Sequence, residues 1–502
     1  LVASAIAPTA CTHHPAAPHD GGPAAAVPDA GAAPPVDLGS PPAVDDLSAP
    51  AIADLAPPAP LDLAGALNAS VTVDPKTPGV AVDSTFAGLS YEKSTMPTML
   101  FSGSDSALIG LFKRLGPGVL RIGANAVDET NWNASGPGLT AGTIAPPDVD
   151  RLAAFLHAAD WKIIYGVNLA ASTTAAAASE AQYAAQALGD RLIGFEIGNE
   201  PDLYKGKYRP ANYSYADFRG EWESYAAAIR AKLPAAVLTG PASAYNVGGY
   251  TVPFAADEAA RISLLTQHYY LANGMDPSST IAKLLIPDPN LPNILAQLDK
   301  AASNAKIAGG FRLAEANSYY NGGASGVSDS FASSLWAIDF LFALVAGGAS
   351  GVNFHGGGNG PGYTPIANDA NGQVVGPRPE YYGILLFDLA AGKQLRTTLN
   401  GGGASLSAHA VVASDGAIVV ILINKDDAHS VVATVDFGLP RSSATLLTLT
   451  APALASTSGV LLGDAPIGSD GAWTPSLRSV TVVGSVASVP VFAGSAVLIR
   501  AQ

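Results

Sequence analysis

From residue 85 onward, short apolar runs recur with helical stretches between them. This alternation narrows the folds open to the chain more than any other feature. The runs are FAGLSYE (86–92), GVLRIGAN (118–125), WKIIYGVNL (161–169), LIGFEIGNE (192–200), AVLTGPAS (236–243), ISLLTQHYY (262–270), FRLAEAN (311–317) and GVNFHG (351–356). Between them lie stretches of helical character such as AAFLHAAD (153–160), FRGEWESYAAAIRAKL (218–233) and FASSLWAIDFLFALVAGG (331–348). Eight strands alternating with helices predict an α/β fold, a parallel (β/α)8 TIM barrel over residues 85–390. A doubly wound open sheet is the rival, but no Gly-rich dinucleotide fingerprint follows the first strand.

After residue 391 the texture changes. ASLSAHAVVA, AIVVILINK, SVVATVDF, ATLLTLTA, SVTVVGS and AVLIRA are short β-rich runs separated by Gly, Asp, Ser and Pro. They predict a C-terminal antiparallel β-sandwich over 391–502, with ASVTVDP (69–75), in segment 67–84, adding an N-terminal strand to it. Residues 12–66 are dominated by Ala, Pro, Asp and Gly and lack bulky apolar side chains, so a disordered tether is expected there. The opening LVASAIAPTAC (1–11) looks like the tail of a signal sequence, and Cys11 resembles a bacterial lipoprotein lipidation site. Export from a bacterial cell, secreted or lipid-anchored at the surface, is the matching expectation.

Composition removes several function classes. The single cysteine rules out an intramolecular disulfide. No apolar run reaches the roughly 18 residues that suggest a transmembrane helix. A formal net charge of −15 argues against nucleic acid and against heavily sulfated glycans. No His/Asp spacing suggests a metal, and no cofactor is expected. The Gly-rich HGGGNGPGYTP (355–365) does not lead into a helix, so it reads as a loop whose backbone approaches a ligand closely.

In a barrel of this kind, polar side chains at the C-terminal strand ends converge on one mouth. The first strand ends in Tyr91-Glu92, the second carries Arg121 and ends at Asn125, and the fourth ends in Asn199-Glu200. The sixth ends in His268-Tyr269-Tyr270, the seventh in Glu315-Ala316-Asn317, and the eighth holds Asn353 and His355. Charged residues are only 13% of the chain, so this concentration is informative. Glu200 and Glu315 finish otherwise apolar strands three βα units apart, on opposite walls of the mouth. Two carboxyls across a cleft suit glycosidic bond cleavage, one protonating the leaving oxygen while the other attacks or supports the anomeric carbon. A separation of about 5–5.5 Å would mean retention of configuration. Glu196 lies deeper on the face of Glu200 and is expected to pair with Arg121. His268 and Tyr270, two residues apart, should both point into the mouth.

With GLSYE, LRIGAN, FEIGNEPDLY, QHYY and RLAEANSYYNGG in hand, the chain resembles the clan-A glycoside hydrolases, and within them glycoside hydrolase family 79, which contains β-glucuronidases and heparanases. The resemblance implies Glu200 as acid/base and Glu315 as nucleophile, with Asn199 bonding the sugar's 2-hydroxyl. It implies that Tyr270, or its neighbour Tyr269, orients Glu315, and that Glu92 and Asn125 hold outer hydroxyls. Tyr320, Gly362 and Tyr363 match the positions that recognise a uronate carboxylate. One departure is Ala124, where a second glycine is common, which is expected to shift the loop after the second strand.

The implied activity is exo-acting, retaining β-glucuronidase action on glycans carrying a terminal uronic acid, glucuronate or its 4-O-methyl form. The alternatives are a clan-A β-glycosidase of other specificity, such as a β-xylosidase or β-glucosidase, and an endo-acting heparanase-like enzyme, which the acidic chain disfavours. A surface glycan-binding protein with an inactive barrel is the reading from another class.

Overall fold

The structure is a computed structural model that describes residues 63, 65–356, 362–369 and 372–502. The signal-like start, Cys11 and nearly all of the tether fall in residues 1–62, outside the described residues. Eight parallel strands close into a barrel: β1 (Ala87–Glu92), β2 (Val119–Gly123), β3 (Lys162–Val167), β4 (Leu192–Ile197), β5 (Leu238–Ser243), β6 (Ile262–Asn273), β7 (Phe311–Tyr320) and β8 (Val352–His355). Each pairs with its neighbour in the chain, and β8 returns to pair with β1.

Helices Ser106–Leu115, Pro146–Ala159, Thr174–Leu188, Tyr215–Lys232, Val252–Asp257, Leu291–Ala305 and Phe331–Ala346 connect the strands, and Pro379–Asp388 follows β8. Parallel strands in a barrel are covered on both faces, so they read as unbroken apolar runs. In β3, Ile163, Ile164, Tyr165 and Val167 are all fully buried. Several helices start where polar side chains satisfy their first free amides. Asp105 accepts from Leu108 N at 3.0 Å, and Ser214 forms a reciprocal cap with Asp217. No helix among the described residues is long and apolar enough to cross a membrane.

The C-terminal domain is a curled twelve-stranded sheet. It is antiparallel except at one ladder, where Leu67–Asp74 lies between Gly392–Asn400 and Val431–Asp436 and runs parallel to the latter. Strand Ile418–Asn424 explains the unbroken apolar run IVVILIN. Val420 and Leu422 face the sandwich core, while Val419, Ile421 and Ile423 pack with the barrel's core.

Helix Phe331–Ala346 is apolar all round for the same reason, since it is covered by both domains. Phe342 stacks flat on His409 at 4.4 Å. Asp339 accepts from Ser407 Oγ and Lys425 Nζ at 2.7 Å each, and His409 Nε2 lies 2.7 Å from it. Burial alone would raise the Asp339 carboxyl, but His409 and Lys425 outweigh it and hold it down at about 2. This polar cluster fixes the register of an otherwise greasy junction.

Candidate active site

The C-terminal strand ends surround a cleft of about 720 Å3, large enough for a small-molecule or sugar ligand. At its floor Arg121 of β2, fully buried, divides its guanidinium among three close partners, with Ser90 Oγ farther off at 3.5 Å from Nη1. Nε donates to Glu196 Oε2 at 2.7 Å, Nη1 to Glu315 Oε2 at 2.6 Å, and Nη2 to Asn199 Oδ1 at 2.9 Å. The expected pairing of Arg121 with Glu196 is present, and the contacts to Glu315 and Asn199 are additional. A rigid planar fork suits this task, because it sets the relative positions of β4 and β7.

Glu315 is held at both oxygens, by Arg121 and by the Tyr270 hydroxyl, which donates to Oε1 at 2.8 Å. Burial would raise this carboxyl, but its electrostatic interactions with His355, His268 and Arg121 and the Tyr270 bond overcome it. The group is held well below the usual carboxylate range. Tyr270, half-buried with its hydroxyl facing that carboxylate, has the hydroxyl pushed up and stays protonated as a donor.

Glu200 sits beyond the end of β4 in a left-handed backbone conformation, φ 54° and ψ 54°, with its amide bonded to Ala242 O at 2.9 Å. A non-glycine residue there costs about 1–3 kcal/mol and persists only where surrounding contacts impose it. Gly198 makes the preceding bend at φ 82°, where a Cβ would stand 2.7 Å from the Tyr204 hydroxyl. Asp128 braces this tip. Its carboxylate accepts from Leu169 N, Ala170 N and Asn199 N at 3.0, 3.1 and 3.2 Å, and from the Tyr204 hydroxyl.

Asn199 spends its oxygen on Arg121, and its buried Nδ2 has no hydrogen-bond partner within the described protein. His268 Nδ1 lies 3.0 Å from Glu200 Oε1. Burial would lower this imidazole, but the charge of Glu315 and the bond to Glu200 raise it instead. Glu200, His268 and Glu315 each bring one donor atom within 4.8 Å of the other two. A cation could in principle be held there, yet Glu315 already carries the Arg121 guanidinium and the Tyr270 hydroxyl. That donor set matches a pair of carboxyls facing a substrate better than a metal cage.

Around the rest of the cleft stand Glu92, Asn125, His355, Tyr363 and Tyr320. Glu92 Oε2 accepts from Ala126 N at 2.7 Å, and Oε1 is 3.7 Å from His355 Nε2. Burial pushes the Glu92 carboxyl up. The Tyr270 ring meets Tyr363 at 5.8 Å and Tyr320 edge-on at 6.4 Å.

Two expectations need adjustment. Tyr269 does not reach the cleft. It follows the alternation of β6 to the outside, donates to Asp288 Oδ2 at 2.8 Å and stacks on Phe340. There it borders a separate, largely apolar cavity of about 410 Å3 on the opposite face of β6. Gly362 does not line the cleft but packs its backbone on Gly322, where a Cβ would meet the Gly322 carbonyl at 1.7 Å. The neighbouring residues 357–361 of the Gly-rich loop fall outside the described residues. Ala124 takes φ 55° and ψ −162°, a conformation natural to glycine, and Asn125 still borders the cleft.

Sequence reasoning overlooked Asp128, Leu203 and Tyr245, which brace or line the mouth from loops. Only their place after strand ends signalled them.

Comparison with known proteins gives two curated relatives. The chain is 28% identical to a β-glucuronidase of Aspergillus niger over 249 residues, 44% of this chain and 46% of that protein. It is 24% identical to a β-glucuronidase of Neurospora crassa over 364 residues, 62% of this chain and 64% of that protein. The matches therefore span about half and just under two thirds of these relatives. No known family profile matches the chain.

Among solved structures, a 4-O-α-L-rhamnosyl-β-D-glucuronidase from Fusarium oxysporum superposes with a TM-score of 0.71 at 19% identity, covering 86% of this chain and 99% of that one. An α-L-arabinofuranosidase from Thermotoga maritima gives 0.65 at 15% identity, covering 87% and 100%. At these identities the likeness speaks for the fold, a TIM barrel shared with glycoside hydrolases.

Proposed function

We propose that this chain is an exo-acting, retaining β-glucuronidase of the glycoside hydrolase family 79 type, removing a terminal glucuronate or 4-O-methylglucuronate from glycans. The observation that carries the reading is the carboxylate pair. Oxygens of Glu200 and Glu315 approach within 4.8 Å, near the roughly 5–5.5 Å of retaining enzymes and short of the 6.5–9.5 Å that inverting enzymes need for a water. The sequence likeness to fungal β-glucuronidases supports the sugar.

In the first step Glu315 Oε attacks the anomeric carbon as the bond to the leaving oxygen breaks, and Glu200 gives that oxygen its proton. The negative charge of Glu315 is spent in a glycosyl ester. Glu200, now ionised, takes a proton from water, whose oxygen displaces Glu315 and restores both carboxyls. Arg121 and Tyr270 hold Glu315 in its attacking, ionised form. Asn199 Nδ2 donates to the 2-hydroxyl, a bond that strengthens as the ring flattens toward an oxocarbenium ion. Glu92 and Asn125 take the outer hydroxyls, and Tyr320 and Tyr363, the latter beside His355, receive the uronate carboxylate.

A panel of 4-nitrophenyl glycosides tests this reading. The β-D-glucuronide should exceed the β-glucoside, β-xyloside and α-L-arabinofuranoside in kcat/KM by at least about 100-fold, the scale of a few lost polar contacts. Preference for any of the neutral sugars would overturn the uronate assignment.

A further inference from the structure

We propose that Tyr245 and Leu203 form a shelf for the leaving group, and that the aglycone presents a flat, uncharged face to it, either an aryl ring or the apolar face of a pyranose. This rests on the reading of Glu200 as the acid. The leaving oxygen must then lie at the Glu200 carboxyl. Glu92, Asn125 and His355, on the walls of β1, β2 and β8, border the glycone. Whatever is bonded to the leaving oxygen extends toward the opposite wall, where Leu203, Ala244 and Tyr245 line the same cleft.

These two side chains are unusually open for this chain, Tyr245 at 72% exposure and Leu203 at 39%, while most of its other aromatic rings are buried. The shelf is also built rigidly. The Asp202 carboxylate accepts from three successive amides, Ala244 N at 2.8 Å, Tyr245 N at 3.1 Å and Asn246 N at 3.0 Å. Asp202 stands two residues after Glu200 on the turn Pro201–Leu203, and Glu200 N is itself bonded to Ala242 O at 2.9 Å.

Acid and shelf are thus tied to one another by three hydrogen bonds between the loops after β4 and β5 and by a fourth from Glu200 N to Ala242 of β5. A pre-positioned tyrosine loses little freedom on stacking a flat partner, which makes the contact worth having. No Lys or Arg among the described residues lines the Leu203–Tyr245 wall of the cleft, which suits an uncharged aglycone.

The test uses Tyr245→Ala and Tyr245→Phe in the full chain, with kcat/KM measured on 2-naphthyl β-glucuronide, a β-glucuronyl-xylose disaccharide and methyl β-glucuronide. Tyr245→Ala should lose about tenfold on one or both of the first two and less than twofold on the methyl glycoside, with Tyr245→Phe near wild type. Loss confined to the naphthyl substrate assigns an aryl partner, and loss confined to the disaccharide assigns a sugar. Equal loss on all three, or loss on none, overturns the shelf. A wild-type protein inactive on every glucuronide overturns instead the β-glucuronidase reading, and the shelf with it.

Discussion

Replacing Glu315 with Gln is expected to lower kcat on an aryl β-glucuronide by roughly 10⁵-fold, the scale on which covalent enzymes suffer when their nucleophile is removed. The amide is nearly isosteric, so packing is kept, but it cannot form the glycosyl ester. The effect also reaches the network below. Arg121 keeps Glu196 and Asn199 but loses one of its two carboxylate partners, leaving a buried guanidinium less well neutralised. A melting temperature measured alongside separates lost chemistry from lost fold. The Glu315 carboxyl is held below the ordinary range, so it stays ionised down to strongly acidic pH, and its contribution to stability, complete above the ordinary carboxylate range, is lost progressively as the pH falls from there through its own lower pKa. The acid limb of the wild-type rate profile should therefore not report this group. Residual activity above about 1% in Glu315→Gln, with the fold intact, would remove it from the nucleophile's role.

Glu200→Gln should behave differently, with a loss that depends on the leaving group. General acid assistance contributes about 10²–10⁴-fold, and it matters most when the departing oxygen is basic. For methyl β-glucuronide or a disaccharide the variant should fall by about 10³–10⁴-fold. A 2,4-dinitrophenyl glucuronide needs little protonation, so its first step should survive and the glycosyl ester should accumulate as a burst. Azide, which needs no base to attack, should then restore turnover and give a β-glucuronyl azide. Equal losses across leaving groups, or no recovery with azide, would argue that Glu200 positions substrate rather than moving a proton. His268 Nδ1, 3.0 Å from Glu200 Oε1, is the neighbour that holds this carboxyl in place.

Much of this arrangement was legible before any coordinates. Barrel strands buried on both faces must be apolar along their length, so a carboxylate that ends one is conspicuous, as Glu200 and Glu315 are. Beyond the Arg121–Glu196 pair, what the residues could not convey was contact across the barrel. The Arg121 fork joins β2 to β4 and β7, and which side chains meet there depends on strand stagger that no local pattern encodes. Alternation along β6 already set His268 and Tyr270 on one face, and the irregularity between Gln267 and His268 falls before both, so Tyr269 turns outward as that pattern requires. The Tyr245 shelf, like the fork, was invisible. It depends on a carboxylate in one loop capturing amides of the next, a feature of two turns meeting in space. The parallel ladder of Leu67–Asp74 was hidden too, since strand direction within a sheet leaves no mark on composition.

The central claim is that Glu200 and Glu315 cleave a β-glucuronide by two displacements at the same carbon. Proton NMR of the anomeric region during the first minutes of hydrolysis tests it most directly, provided turnover outpaces mutarotation. Two inversions return the starting configuration, so the β-anomer of glucuronic acid should appear first and the α-anomer only later, as the free sugar equilibrates. The α-anomer appearing first would mean a single displacement by water and would contradict the mechanism built on the pair.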